Sequence, residues 1–230
     1  RLASDFVEQG GAIIGSTINK YAYCSIVPRE DDQIIVHSLD FDMTVKYNAK
    51  ENFVYDGRLD LVTAALKAMD INQGCEVYLQ CDAPAGSGLG TSSTVMVSLL
   101  TAMARWKGVE MDAYRLADLA YQVEREDLKI DGGYQDQYAA TFGGINFIEF
   151  HGRNNVVVNP LRIKKDILHE LQYNLLLCYT GNIHVSANII KDQVKNYEKA
   201  LELEKAYHAY NGPKPDRKPK NGKEDKRHGR

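Results

Sequence analysis

Two short stretches of the sequence hold the residue types that phosphate and carboxylate chemistry use. The first is Ala83-Pro84-Ala85-Gly86-Ser87-Gly88-Leu89-Gly90-Thr91-Ser92-Ser93. Its alternating glycines free the backbone to approach a ligand and to take positive φ. Three hydroxyl residues follow. A helix starting at Thr91 would offer free N–H groups and about half a positive charge to an anion. The stretch therefore has the makings of a phosphate cradle. No Gly-Lys-Ser/Thr closes it, so it is not a Walker loop, and Ser87 lacks the Gly-x-Ser-x-Gly frame of a nucleophile elbow. On residue types alone, a glycine-rich turn with ordinary Ser/Thr capping explains it equally well.

The second stretch runs from Glu124-Arg125-Glu126-Asp127 to Gly132-Gly133-Tyr134-Gln135-Asp136-Gln137. Glu124 and Asp136 fall on successive predicted helices joined by a flexible loop, which can bring both to one cleft. Phosphoryl transfer needs such parts: a cradle, a metal ligand and a group that orients the nucleophile. Glu126 and Asp127 read as solvated helix-surface charges. Asp136 has small and aromatic neighbours instead, and Tyr134 is expected at the edge of its site.

The elements that must position these residues follow from periodicity and punctuation. Residues 11–27 form one long β-rich run that Pro28 stops, and shorter strands are predicted at 33–38 and 43–48. Helical spacing predicts a helix over 59–70, and a strand at 75–81 leads into the glycine-rich turn. Helices are predicted over 91–107, ended by Gly108, and over 113–127, opened by Asp112 as N-cap. A short helix near 134–141 precedes predicted strands at 145–150, 155–159 and 173–179. A last helix is predicted over 184–208, with a stripe of Ile190, Val194, Tyr197 and Leu201. Strands and helices mix without βαβ alternation, so the expected fold class is α+β.

Composition excludes several alternatives. The 230 residues are 44% hydrophobic and 26% charged, which suits a globular protein with a substantial core. No apolar run is long enough to span a membrane, and no basic-then-apolar leader opens the sequence. The four cysteines are scattered without a zinc spacing and read as reduced, mostly buried thiols of a cytoplasmic protein. The six histidines stand singly. Residues 211–230 hold eight Lys or Arg against three Asp or Glu, leaving 20 basic and 28 acidic residues in the remainder. An acidic body makes nucleic acid an unexpected partner, and the proline-rich basic tail is expected to be disordered.

Pro84 to Ser93 resembles the second motif of the GHMP kinases, the galactokinase, homoserine kinase and mevalonate kinase group, which reads Pro-x-x-x-Gly-Leu-Gly-Ser-Ser-Ala. The resemblance implies that Pro84, Gly86, Ser87, Gly88, Leu89, Gly90, Thr91, Ser92 and Ser93 bind the phosphates of ATP, with Ser92 helping to hold Mg²⁺. Glu124, Gly133 and Asp136 are similar to the galactokinase pattern Glu-His…Cys-Gly-x-x-Asp-Gln. That likeness implies Glu124 as a magnesium ligand and Asp136 as the catalytic aspartate. Within the superfamily the chain most resembles D-glycero-D-manno-heptose 7-phosphate kinases, through residues 10–23, 135–144 and 158–161. By this resemblance it phosphorylates the anomeric hydroxyl of a sugar phosphate with ATP.

The implied fold is a GHMP-kinase-like N-terminal domain, a mixed sheet packed against helices. It would occupy residues 1–182, with 183–210 opening the family's second domain and 211–230 as the tail. The family's Gly-Gly-Gly-Thr-Asp segment would precede Arg1. Where the family has Thr-Gly-x-Ser-Arg, the sequence reads Thr180-Gly181-Asn182-Ile183-His184. The resemblance thus implies a fragment of a kinase, or a degenerate member that binds nucleotide without turnover.

Overall fold

The computed structural model describes residues 10–152 and 155–178, with Asn196, Lys199, Glu202, Leu203 and Lys205. The chain divides into two units, Arg1–Val194 and Lys195–Arg230. In the second unit the five described positions are helical and exposed. The predicted stripe at 190–201 and the basic tail lie outside the described residues.

The first unit contains two sheets. Strand β2 (Ala22–Pro28), β3 (Gln33–Ser38), β4 (Met43–Asn48) and β5 (Cys75–Cys81) form one sheet in the order β2-β5-β3-β4. Only the β3–β5 pair in it is parallel. Strands β1 (Gly11–Ser16), β6 (Ile145–Phe150) and β7 (Val156–Pro160) form an antiparallel sheet in the order β1-β6-β7. The helices are α1 (Asp60–Ala68), α2 (Thr91–Lys107), α3 (Ala113–Tyr121), α4 (Gln135–Phe142) and α5 (Lys165–Asn174). The arrangement is α+β, as the sequence predicts.

Local chemistry sets these boundaries. Helix α2 ends at Gly108, whose left-handed φ of 66° lets Val109 N–H reach Ala104 O and Gly108 N–H reach Arg105 O, a Schellman closure. Helix α3 begins where the Asp112 side chain accepts the Arg115 N–H at 2.8 Å. Ile34, Val36, Val77 and Leu79 of the four-stranded sheet pack with Leu66 of α1 and with Met96, Leu99, Leu100 and Met103 of α2 in one buried cluster. Tyr138 of α4, Ala117 of α3 and Ile148, Phe150 and Val158 of the second sheet, joined by Tyr134, make another. Between the two clusters, α2, α3 and α4 pack on one another and bring the two chemistry-bearing stretches together.

Three expectations need correction. The long run over 11–27 is two strands in different sheets, its middle held by hydrogen bonds to residues far along the chain. Thr17 exchanges bonds with Gly144, N–H to O at 2.9 Å and Gly144 N–H to Oγ1 at 2.8 Å, while Asp82 accepts the Tyr21 N–H at 3.0 Å. The helix predicted over 113–127 keeps α-geometry only to Tyr121, and Gln122–Asp127 widen into a π-turn. Finally, 173–178 is not a strand: α5 runs through Tyr173 and Asn174, Leu175–Cys178 have no regular structure, and residue 179 lies outside the described residues. Within its last turn Asn174 Nδ2 donates back to Glu170 O at 2.8 Å.

Candidate functional site

Strand β5 delivers the chain into the glycine-rich loop. Gly86, Gly88 and Gly90 take φ of 73°, 77° and 74°, a region that costs other residues about 1–2 kcal/mol. Such backbone turns successive N–H groups toward one side and makes an anion-binding concavity. The loop is braced from within, by Ser87 N–H to Pro84 O at 3.2 Å and by Thr91 Oγ1 to Pro84 O at 3.4 Å. Gly90 is the N-cap of α2, and no side chain caps that end. The helix-start N–H groups therefore remain available to a ligand.

Asp136 lies in the first turn of α4, against this loop. A Cβ placed on Gly90 would stand 3.6 Å from both Cβ and Cγ of Asp136 and 3.8 Å from its Oδ1. A cavity of about 580 Å³ opens there. Of the residues expected at the site, Gly86, Gly88, Gly90, Thr91, Ser92 and Asp136 line it; Pro84, Ser87, Leu89, Ser93 and Glu124 do not. Gly88, Leu89, Gly90 and Asp136 also line a wider groove of about 1280 Å³ running along β2. Asp136 thus borders both spaces. Tyr134 lines the smaller cavity, with its ring stacked on Tyr121 at 3.6 Å.

Glu124 and Ser93 are fully buried, at 0% exposure. The π-turn carries Glu124 inward, as such insertions often do near functional sites. Gln137 Nε2 joins the pair, donating to Glu124 Oε2 at 2.5 Å and to Ser93 Oγ at 3.1 Å. Glu124 Oε1 is buried without a hydrogen-bond partner. A carboxylate oxygen in that state suits a hard cation, and the Ser92 hydroxyl, next in sequence to Ser93 and on the cavity wall, has the chemistry of a second oxygen donor. Mg²⁺ is commonly bound by one or two protein oxygens, with substrate phosphates and waters completing its shell. The donor chemistry of Glu124 and Ser92 fits that ion.

Other cavity residues carried no signal in the sequence patterns. Arg58 lines the cavity, but its Nε and Nη2 are engaged by Asp56 at 2.9 and 2.6 Å. Asp40 and Asp60, also lining it, accept backbone N–H groups of Cys81 and Gly57. Arg125 lines it as well, and its guanidinium lies so close to Gly132 that a Cβ there would come within 2.4 Å of Cζ. A side chain at 132 would therefore displace the Arg125 guanidinium from this position. Further out, burial and the Asp118 carboxylate raise the Tyr138 hydroxyl far above its ordinary range, so it stays a donor to Asp118.

Residues 59–144 match the model of the GHMP kinases N terminal domain. Over 200 residues the chain is 42% identical to the D-glycero-alpha-D-manno-heptose 7-phosphate kinase of Campylobacter jejuni subsp. jejuni serotype O:2, covering 84% of this chain and 59% of that protein. The crystal structure of a D-glycero-D-manno-heptose 1-phosphate kinase from Bacteriodes thetaiotaomicron superposes with a TM-score of 0.70 at 38% identity, covering 74% of this chain and 57% of that one. Lactococcus lactis galactokinase complexed with galactose shares the fold, with a TM-score of 0.61 at 19% identity over 71% of this chain and 45% of that one. The chain therefore spans less than two thirds of the length of each of these relatives.

Proposed function

We propose that this chain, whose residues 59–144 match the GHMP kinases N terminal domain, acts in an ATP-dependent sugar kinase. The reaction is transfer of the γ-phosphoryl group of ATP to the anomeric hydroxyl of D-glycero-D-manno-heptose 7-phosphate. One observation carries the reading: the Asp136 carboxylate abuts Gly90, the residue that caps a helix start with no side chain across it. A general base and a phosphate cradle in contact are what in-line transfer to a hydroxyl requires.

Each residue then has a task. The backbone of 86–92 and the start of α2 hold the triphosphate, while Pro84, Ser87, Leu89 and Ser93 shape the loop. Asp136 orients the sugar hydroxyl and accepts its proton as the oxygen bonds to the γ-phosphorus and the bond to the β–γ bridging oxygen breaks, releasing ADP. Ser92 and Glu124 would hold Mg²⁺, which supplies charge neutralisation at the phosphates. Gln137 fixes Glu124, and the N–H groups of the loop meet charge that develops in the transition state.

The domain assignment follows the same reading, with 1–182 as the ATP-binding domain, 183–210 opening the second domain and 211–230 as a tail. No helix among the described residues is long and apolar enough to cross a membrane. A kinase that draws on ATP and a sugar phosphate works in the cytoplasm, with small molecules rather than nucleic acid as partners.

The test is phosphoryl transfer from Mg-ATP to D-glycero-D-manno-heptose 7-phosphate, with folding checked by circular dichroism. Asp136→Asn is expected to lower kcat by about 10²–10⁴-fold while leaving Mg-ATP binding in place. Transfer that survives the substitution would remove Asp136 from its role. Nucleotide binding by folded protein with no transfer would reduce the chain to a nucleotide-binding domain.

A further inference from the structure

We propose that Arg125 is a phosphate-binding residue of the 580 Å³ cavity, its guanidinium donating to a phosphoryl oxygen of a bound substrate. This rests on the kinase reading above. Two arginines line the cavity, Arg58 and Arg125. Arg58 is committed to Asp56 through two bonds to one carboxylate oxygen. Arg125 instead donates Nη1 to the Ile130 carbonyl at 3.2 Å, and its Nε is buried with no hydrogen-bond partner. Among the described residues no carboxylate forms an ion pair with it.

A half-buried guanidinium satisfied only by a neutral carbonyl is an expensive arrangement in an apolar setting. It becomes favourable when an anion completes the fork, and phosphate oxygens match guanidinium geometry in charge and spacing. The surroundings are shaped to keep it in place. The π-turn that sends Glu124 inward puts Arg125 next in line, at the cavity wall. Gly132 leaves room for the fork, since a Cβ there would lie 2.4 Å from Cζ, 2.6 Å from Nη2 and 2.7 Å from Nε. A side chain that only braced the loop would need neither an orphaned Nε nor a place on the cavity wall.

Two phosphates come to such a site, the nucleotide's and the acceptor's, and one set of measurements separates them. Calorimetry with wild type, Arg125→Met and Arg125→Lys would follow binding of Mg-ATP, of adenosine and of the sugar phosphate, with melting curves to verify folding. Loss of one charge-assisted hydrogen bond weakens binding about ten- to a hundredfold. Arg125→Met is therefore expected to raise the Kd of either Mg-ATP or the sugar phosphate by at least about tenfold, with partial recovery in Arg125→Lys. Adenosine, which has no phosphate, should bind unchanged. The ligand affected identifies the source.

Gly132→Ala, which drives the guanidinium from its seat, should move the same constant and keeps the inference testable if Arg125→Met does not fold. Phosphate-ligand affinities within twofold of wild type in folded variants would overturn the role, as would equal weakening of adenosine, the mark of a merely structural part. If wild type itself binds neither Mg-ATP nor sugar phosphate, the kinase reading falls and this role with it.

Discussion

Gln137 is the residue whose removal tests the site's construction most directly. Its Nε2 spans the fully buried Glu124 and Ser93 with bonds of 2.5 and 3.1 Å. Through them it ties α4, and so its neighbour Asp136, to the first turn of α2 and to the π-turn. Gln137→Leu keeps the volume and removes both donors. The bond to the carboxylate contributes about 1.5–3 kcal/mol and the neutral one about 0.5–1.5, so the expected loss is about 3 kcal/mol. In a unit of this size each kcal/mol moves Tm by about 2–4 °C, giving a fall of about 6–12 °C. Urea unfolding followed by far-UV circular dichroism measures this, with an unchanged m-value as the control. Much of the cost is Glu124 left with both oxygens unpaired. The double variant Glu124→Met with Gln137→Leu, which replaces both partners by apolar groups, should recover more than half of the loss. A single-variant cost below about 0.5 kcal/mol, or single costs that simply add in the double variant, would refute the reasoning.

Three further outcomes follow from the structure. Gly90→Ala meets no clash, its Cβ standing 3.6 Å from Asp136, but φ is 74°; unfolding should show a loss of about 1–2 kcal/mol. A loss near zero would mean that the loop relaxes. Arg29 bridges Asp31 and Glu76. Its hydrogen bonds hold the Asp31 carboxyl below its ordinary 3.8, and the Tyr78 hydroxyl followed by Arg29 holds Glu76 below 4.5. The stability these two contribute is complete above those ordinary values and is lost as pH falls through the depressed ones. Asp31→Asn with Glu76→Gln should therefore flatten the acid limb of the urea midpoint below about pH 4.5, and an unchanged limb would contradict the assignment. Burial pushes the Cys24 thiol up to about 12, with Cys75 nearby adding to the shift, and the Cys75 thiol up to about 11, whereas Cys178 is exposed. Iodoacetamide at pH 8 should alkylate Cys178 first and reach Cys24 and Cys75 only on unfolding, as peptide mass spectrometry would report.

Much of this domain is legible in its sequence because the governing interactions are local. Helix α2 spans Thr91–Lys107 as its periodicity and the closing Gly108 require, and α3 starts where Asp112 can cap it. The loop glycines take the positive φ that only they adopt cheaply, and the hydroxyl run after them opens a helix. What the sequence left open depended on partners distant along the chain. The run over 11–27 splits where Gly144 and Asp82 bind its middle, contacts separated by 127 and 61 residues. Glu124 is legible in the sequence as a candidate cleft carboxylate, but its full burial and its pairing with Gln137 follow only from the π-turn and the packing of α4. Arg58 finds its carboxylate two residues away in Asp56, but that Arg125 comes to the wall of the same cavity follows only from the fold. Periodicity and capping act over about four residues and can be read along the chain, whereas the pairing of buried polar groups is decided by whichever side chains the tertiary fold sets opposite them.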